Sequence, residues 1–211
     1  MPRTPIIAPP DTDLQLLAEL LDGTGAAAAN RAWAHAALRR FGSLGRLLEA
    51  DRSELATLPG FAPAQPARLR AARELIERAL RESLEHGPLL ASPDAVGRFL
   101  RLKLAGRPHE VFGALFLDAQ HRLLAFEELF RGTLTQTAVY PREVVKRALA
   151  HNAASLLLAH NHPSGTTEPS HADELLTRTL SDALGLVDIR VLDHVIVARG
   201  ASLSFAQRGL L

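Results

Sequence analysis

The 211-residue chain has no cysteine, so disulfides and thiolate metal sites are excluded and nothing points to an oxidising compartment. It also lacks any apolar run near the roughly 18 residues that a membrane span needs. Its proline-rich start, MPRTPIIAPPDTD, has no apolar stretch of the about 7–15 residues typical of a secretory signal. Charge of one sign is missing as well. Lys and Arg number 24 against 23 Asp and Glu, a formal net charge of +1. The molecule as a whole is therefore no electrostatic trap for nucleic acid or anionic membrane, and binding of either kind would need a local patch. These absences predict a cytoplasmic protein with no membrane partner. With 47% hydrophobic residues, the chain can hold itself together by packing alone.

Residues 1–12 read as a flexible leader. From 13 to 86 the apolar spacing is helical through LQLLAELL, AAAANRAWAHAALRRF, SLGRLLEA, SELATL and PARLRAARELIERALRESLEH, with Gly and Pro at the breaks. This predicts a small all-α domain, followed by a linker in GPLLASPDAVG. Over residues 90–211 strands and helices alternate. A helix over 93–104 precedes strands at 111–118 and 122–130, and Tyr140-Pro141 opens another helix with proline in its first turn. SLLLAH is a short apolar strand suited to burial on both faces. A helix over 170–184 and strands DIRVLD and HVIVAR follow, with LSF as a last edge. The expected architecture is a mixed sheet sandwiched by helices.

The richest segment is HNHPSGTTEPSHAD, residues 160–173. His160 and His162, two apart at a strand end, project to one face, while Asn161 points to the other. Pro163 and Gly165 end the strand, and Ser170 opens a helix whose first turn carries Asp173. Two neutral imidazoles and a carboxylate suit zinc with an open fourth position, although the same trio also describes non-haem iron sites. Taken alone, Ser170 and Asp173 are better read as a capping pair at a helix start. The two readings are compatible, because a capped first turn holds the aspartate in a fixed direction.

H-x-H, seven intervening residues, then S-x-x-D resembles the JAMM signature of the MPN metalloprotease superfamily. The surrounding segments EVFGALFLDAQHRLLAFEELFRGTL (110–134), VYPREVVKRALAHNAA (139–154) and VLDHVIV (191–197) resemble the bacterial RadC family within it. The resemblance covers essentially the whole chain. It implies an α/β MPN (JAMM) domain holding one Zn²⁺ per chain on His160, His162 and Asp173. It also implies a glutamate base on a strand preceding H-x-H, for which Glu110 is the best match, and a role for the Ser170 hydroxyl in stabilising an oxyanion. Glu127 and Glu128 are rivals of Glu110, since alternation along AFEELF puts one of them on the inner face. Glu168 sits in a loop tip, and Glu143 in a helix first turn where the dipole accounts for it. His194, in the apolar stretch VLDHVIV, is read as a buried histidine bonded to backbone, with a contact to the ligands as the other option. His151 and His171 read as surface residues.

In the helical domain, ELATLPGFAPAQPARLRAARELI resembles the second half of a helix-hairpin-helix unit, whose turn amides meet a DNA phosphate. Gly60 stands in place, but Ala62 occupies the second glycine position, and Pro63 and Pro66 remove amide donors. Residues 1–86 carry eleven arginines against eleven acids. Arg68, Arg70 and Arg73 are the only candidate phosphate-facing cluster, so DNA binding is expected to be weak at most. The chain thus reads as a zinc-dependent metallohydrolase for a peptide or isopeptide bond. The competing reading is a catalytically silent, metal-stabilised module that binds DNA or protein.

Overall fold

The computed structural model describes residues 10–22, 27–60, 64–87, 93–132 and 139–211. Most of the expected leader and the core of the expected linker, residues 88–92, lie outside them. The chain forms two compact units, residues 1–75 and 76–211. No helix among the described residues is long and apolar enough to cross a membrane.

The first unit is helical: α1 (Pro10–Leu21), α2 (Ala27–Phe41), α3 (Leu44–Glu49), α4 (Arg52–Ala56) and the first half of α5 (Ala64–His86). The first helix begins three residues earlier than its periodicity predicts, at Pro10, a residue that tolerates a first turn because its missing N–H has no partner there anyway. Leu17, Leu21, Trp33, Ala37, Leu47, Leu55 and Leu69 form its core. The short helices depend on their caps. Ser43 accepts from the Arg46 N–H, and Asp51 and Glu54 exchange bonds in a capping box.

The second unit is a five-stranded sheet between helices. Its elements are α6 (Pro93–Leu104), β1 (Val111–Leu117), β2 (Leu123–Arg131), α7 (Pro141–Ala150), β3 (Ser155–Asn161), α8 (His171–Gly185), β4 (Arg190–Ala198), β5 (Ala201–Ser204) and α9 (Phe205–Arg208). The order is β2-β1-β3-β4-β5. Only β3 and β4 run parallel, so the sheet is mixed. Alternation divides the core in two. Val111, Leu115, Leu157, Ala159, Val195 and Val197 pack with Phe99, Leu100 and Leu104 of α6 and with Leu84 of α5. Phe112, Ala114, Phe116, Leu156 and Leu158 face Val144 and Ala148 of α7 and Leu180 and Leu184 of α8. Each residue of β3 is buried, as its unbroken apolar run requires.

Two expectations need correction. DIRVLD and HVIVAR form one strand, β4, because no turn residue separates them. Asp193 stays in the strand with its carboxylate satisfied by the Ser204 hydroxyl at 2.5 Å and the Ala206 N–H at 2.9 Å. The last edge strand ends at Ser204, one residue short of LSF's phenylalanine. Ser204 caps α9 by accepting from the Gln207 N–H, and Phe205 turns inward as the first residue of that helix.

Candidate metal centre

The site lies where β3 ends. Pleating puts His160 on the α7/α8 face with Phe112, its cross-strand partner, and the two rings stack at a centroid separation of 6.4 Å. His162 continues the strand by one more bond, its N–H donating to the Val197 carbonyl at 2.9 Å. The chain then turns at once, with the Gly165 N–H on the His162 carbonyl at 3.0 Å. Residues 163–169 lead to Ser170, the N-cap of α8. Ser170 and Asp173 form a capping box: the Asp173 N–H donates to Ser170 Oγ at 3.2 Å, and the Ser170 N–H and hydroxyl donate to Asp173 Oδ2 at 2.8 and 2.6 Å. The cap therefore holds Oδ2 and aims Oδ1 at His160.

The three groups converge. His160 Nε2 stands 2.9 Å from His162 Nε2 and 3.2 Å from Asp173 Oδ1, and His162 Nε2 stands 3.6 Å from Asp173 Oδ2. They are the one cluster of possible metal ligands among the described residues. Donors about 2.0–2.1 Å from a tetrahedral zinc stand about 3.3 Å apart. The observed spacings bracket that value, so the residues fit such an ion without rebuilding.

Hydrogen bonds behind the rings decide which nitrogens carry protons. The Thr177 hydroxyl donates its single proton to the Asp173 carbonyl at 2.6 Å. It must therefore accept from His194 Nδ1–H, also 2.6 Å away. Burial pushes the fully enclosed His194 well below its ordinary pKa, so its other nitrogen is a bare acceptor. His160 Nδ1, at 2.8 Å from it, has to donate. That leaves the His160 Nε2 lone pair facing the cluster. His162 Nδ1 lies 3.1 Å from the Thr166 carbonyl, which can only accept, so in the neutral ring Nδ1 carries the proton and Nε2 is left free to ligate. Two lone pairs and a carboxylate oxygen thus point at one spot.

With no ion between them, the same groups share protons instead. Burial by itself pushes the Asp173 carboxyl up, but hydrogen bonds from His160, His162 and Ser170 outweigh it and hold the group far below the usual carboxylate range. The Asp173 hydrogen bond raises His162 against the opposing effect of burial, and the charges of Asp173 and Glu110 add to the rise.

Glu110 immediately precedes β1. In the β1–β3 ladder Phe112 opposes His160 as the last pair at that end, and two residues further out the Glu110 charge is felt by His162. Its rivals are spent elsewhere. Arg147, on α7, pairs with Glu127 through two bonds, His151 adds a third at 2.8 Å, and the Arg147 bond chiefly draws the Glu127 pKa down to about 2. Glu128 pairs with Arg107. Glu168 meets Arg208 at 3.2 Å, and Glu143 meets Lys146 at 3.0 Å. His151 was expected at the surface; it is instead half-buried, its ring tilted against Phe116 with centroids 4.6 Å apart. His171 is exposed, as expected.

His194 departs from its default reading: both ring nitrogens bond side chains, not backbone. Thr177 was not foreseen, although its place one turn after Asp173 puts it on the same helix face. In the helical unit, Gly60 adopts a left-handed backbone with φ +73°, while Ala62 and Pro63 lie outside the described residues. Arg68 donates to the Leu20 carbonyl at 2.8 Å and Arg73 to that of Leu48 at 3.4 Å, bonds that tie helix ends within the unit. Arg70 is exposed.

Residues 90–210 match the RadC-like JAB domain. The chain belongs to this family. A UPF0758 protein from Methylibium petroleiphilum is 61% identical over 178 residues, covering 84% of this chain and 80% of that protein. One from Acidovorax sp. is 56% identical over 198 residues, covering 94% and 82%, and one from Nitrosomonas eutropha is 56% identical over 174 residues, covering 82% and 78%. The RadC-like match takes in β1, the H-x-H strand and the α8 cap together.

Proposed function

We propose that the chain is a zinc-dependent hydrolase of amide or isopeptide bonds, with His160, His162 and Asp173 holding one Zn²⁺. The observation that carries this reading is the convergence of two Nε2 lone pairs with a carboxylate oxygen. Three groups that can each offer an electron pair, held this close, attract a cation, and a shared proton takes that place when no metal is bound. Imidazole nitrogen and carboxylate oxygen are donors that zinc accepts, and three protein ligands leave a position open. Membership of the RadC-like JAB family supports the same reading.

Bound zinc would supply Lewis acidity that brings the pKa of water from about 15.7 to about 7. Glu110 takes a proton from the attacking water and delivers it to the leaving nitrogen, so that a C–O bond forms, the C–N bond breaks and the proton count closes. The Ser170 hydroxyl turns from Asp173 towards the developing oxyanion, an interaction worth on the order of 3 kcal/mol. The Ser170 N–H bond to Oδ2 meanwhile keeps Asp173 in place.

Metal analysis of the full chain by plasma mass spectrometry is the test. Near one equivalent of zinc in the wild type, lost in His160→Ala and Asp173→Ala, is the expected result. Glu110→Gln should keep its zinc and lose about 10²–10⁴-fold in cleavage across a panel of peptide and isopeptide substrates. No metal after zinc reconstitution would sink the proposal. Bound zinc that raises the melting temperature while no substrate is cut would favour the metal-stabilised binding module.

A further inference from the structure

Asn161, between the two histidines, faces away from the metal cluster and is 1% exposed. Its side chain is fully used. Oδ1 accepts from the Val111 N–H at 2.8 Å, and Nδ2 donates to the carbonyls of His109 at 3.1 Å and Arg107 at 3.5 Å. These partners bracket Glu110 on both sides in the chain. The segment needs such a hold, because residues 107–110 precede β1 as turn and coil, outside its ladder. Besides Asn161, the Gly132 N–H holds the segment by donating to the Glu110 carbonyl at 2.9 Å.

We propose that Asn161 is a positioning residue that fixes the Glu110 carboxylate over the metal cluster, an inference that rests on Glu110 being the base. The residue type fits the task. One amide offers an acceptor and two donors in a single plane. Aspartate would set a charge against two carbonyls, and serine or threonine has only one donor. Because Asn161 and the ligand histidines share one strand, the same pleat that turns His160 and His162 to the cluster turns Asn161 to the segment behind it. Ligand strand and base segment are thus registered to each other through a single side chain, which keeps a buried amide from being left unpaired.

The test uses the full chain loaded with cobalt(II) and follows the pH dependence of its visible absorption, which needs no substrate. Glu110→Gln should move the midpoint by about one unit or more, since it removes a charge beside the cluster. Asn161→Ala should bind cobalt with the wild-type stoichiometry and move the midpoint in the same direction. The double variant should match Glu110→Gln alone. An Asn161→Ala midpoint equal to wild type, with Glu110→Gln shifted, overturns the positioning role and leaves the base intact. A Glu110→Gln midpoint equal to wild type removes the base, and this inference falls with it. Loss of cobalt in Asn161→Ala would mean that Asn161 holds the ligands instead, which also overturns it. Should the alanine variant not fold, Asn161→Ser is read against the same outcomes.

Discussion

Replacing His194 with phenylalanine cuts the chain of hydrogen bonds that sets the metal-facing nitrogen of His160. The ring keeps its place, since His194 packs between Phe112 and Phe205 at centroid separations of 5.8 and 4.8 Å, and a phenyl group suits those neighbours. What is lost is polar. His160 Nδ1–H, in a residue 1% exposed, has no acceptor left, while Thr177 keeps its bond to the Asp173 carbonyl and loses only what it accepted. One unsatisfied buried donor costs about 1–3 kcal/mol. The tautomer preference goes with it, so part of the population turns a protonated Nε2 towards the metal. Losses of this kind lower metal affinity by about 10–100-fold, or about 1.4–2.8 kcal/mol. Zinc competition against a chromophoric chelator measures this directly, and His194→Gln, which retains an acceptor, should recover part of the loss. Wild-type zinc affinity in the phenylalanine variant would refute the argument that His194 sets the His160 tautomer.

Three other outcomes rest on the same contacts. Chelation should lower the melting temperature of the wild type but not of His160→Ala or Asp173→Ala; at free zinc 100-fold above Kd the stabilisation at stake is about 2.7 kcal/mol, read by calorimetry. Glu127, held at about 2 against an ordinary 4.5, stabilises the fold above its unfolded value and loses that contribution as pH falls from 4.5 to about 2. The stability difference between wild type and Glu127→Gln in urea titrations should therefore be full at pH 6 and shrink through that window. Gly113→Ala should destabilise by about 1–3 kcal/mol, since a Cβ there would lie 2.8 Å from the Glu127 carbonyl oxygen and 3.2 Å from the Phe126 ring; a melting temperature equal to wild type would contradict this.

What could be read from the sequence was local. His160 and His162 share a face because strands alternate, and Asp173 points back because Ser170 caps the helix that carries it. Both facts follow from spacings of two and three residues. The boundaries of α6 and of β3's apolar run were legible for the same reason. What could not be read depends on residues far apart in the chain. The fates of Glu127 and Glu128 were set by Arg147, His151 and Arg107, partners about twenty residues away that only β2 pairing and α7 packing bring within reach. Asp193 can stay inside β4 because Ser204 and Ala206, on the far side of a turn, satisfy its carboxylate.

The sequence by itself determined the candidate ligand trio, since alternation in a strand and the geometry of a helix cap need no distant partner. Only the tertiary structure decided what stands behind that trio: His194 on His160, Thr177 between α8 and β4, and Asn161 on residues 107–111. Each of those contacts joins two elements whose relative register is fixed by the burial of the whole sheet. No short stretch of sequence carries that energy.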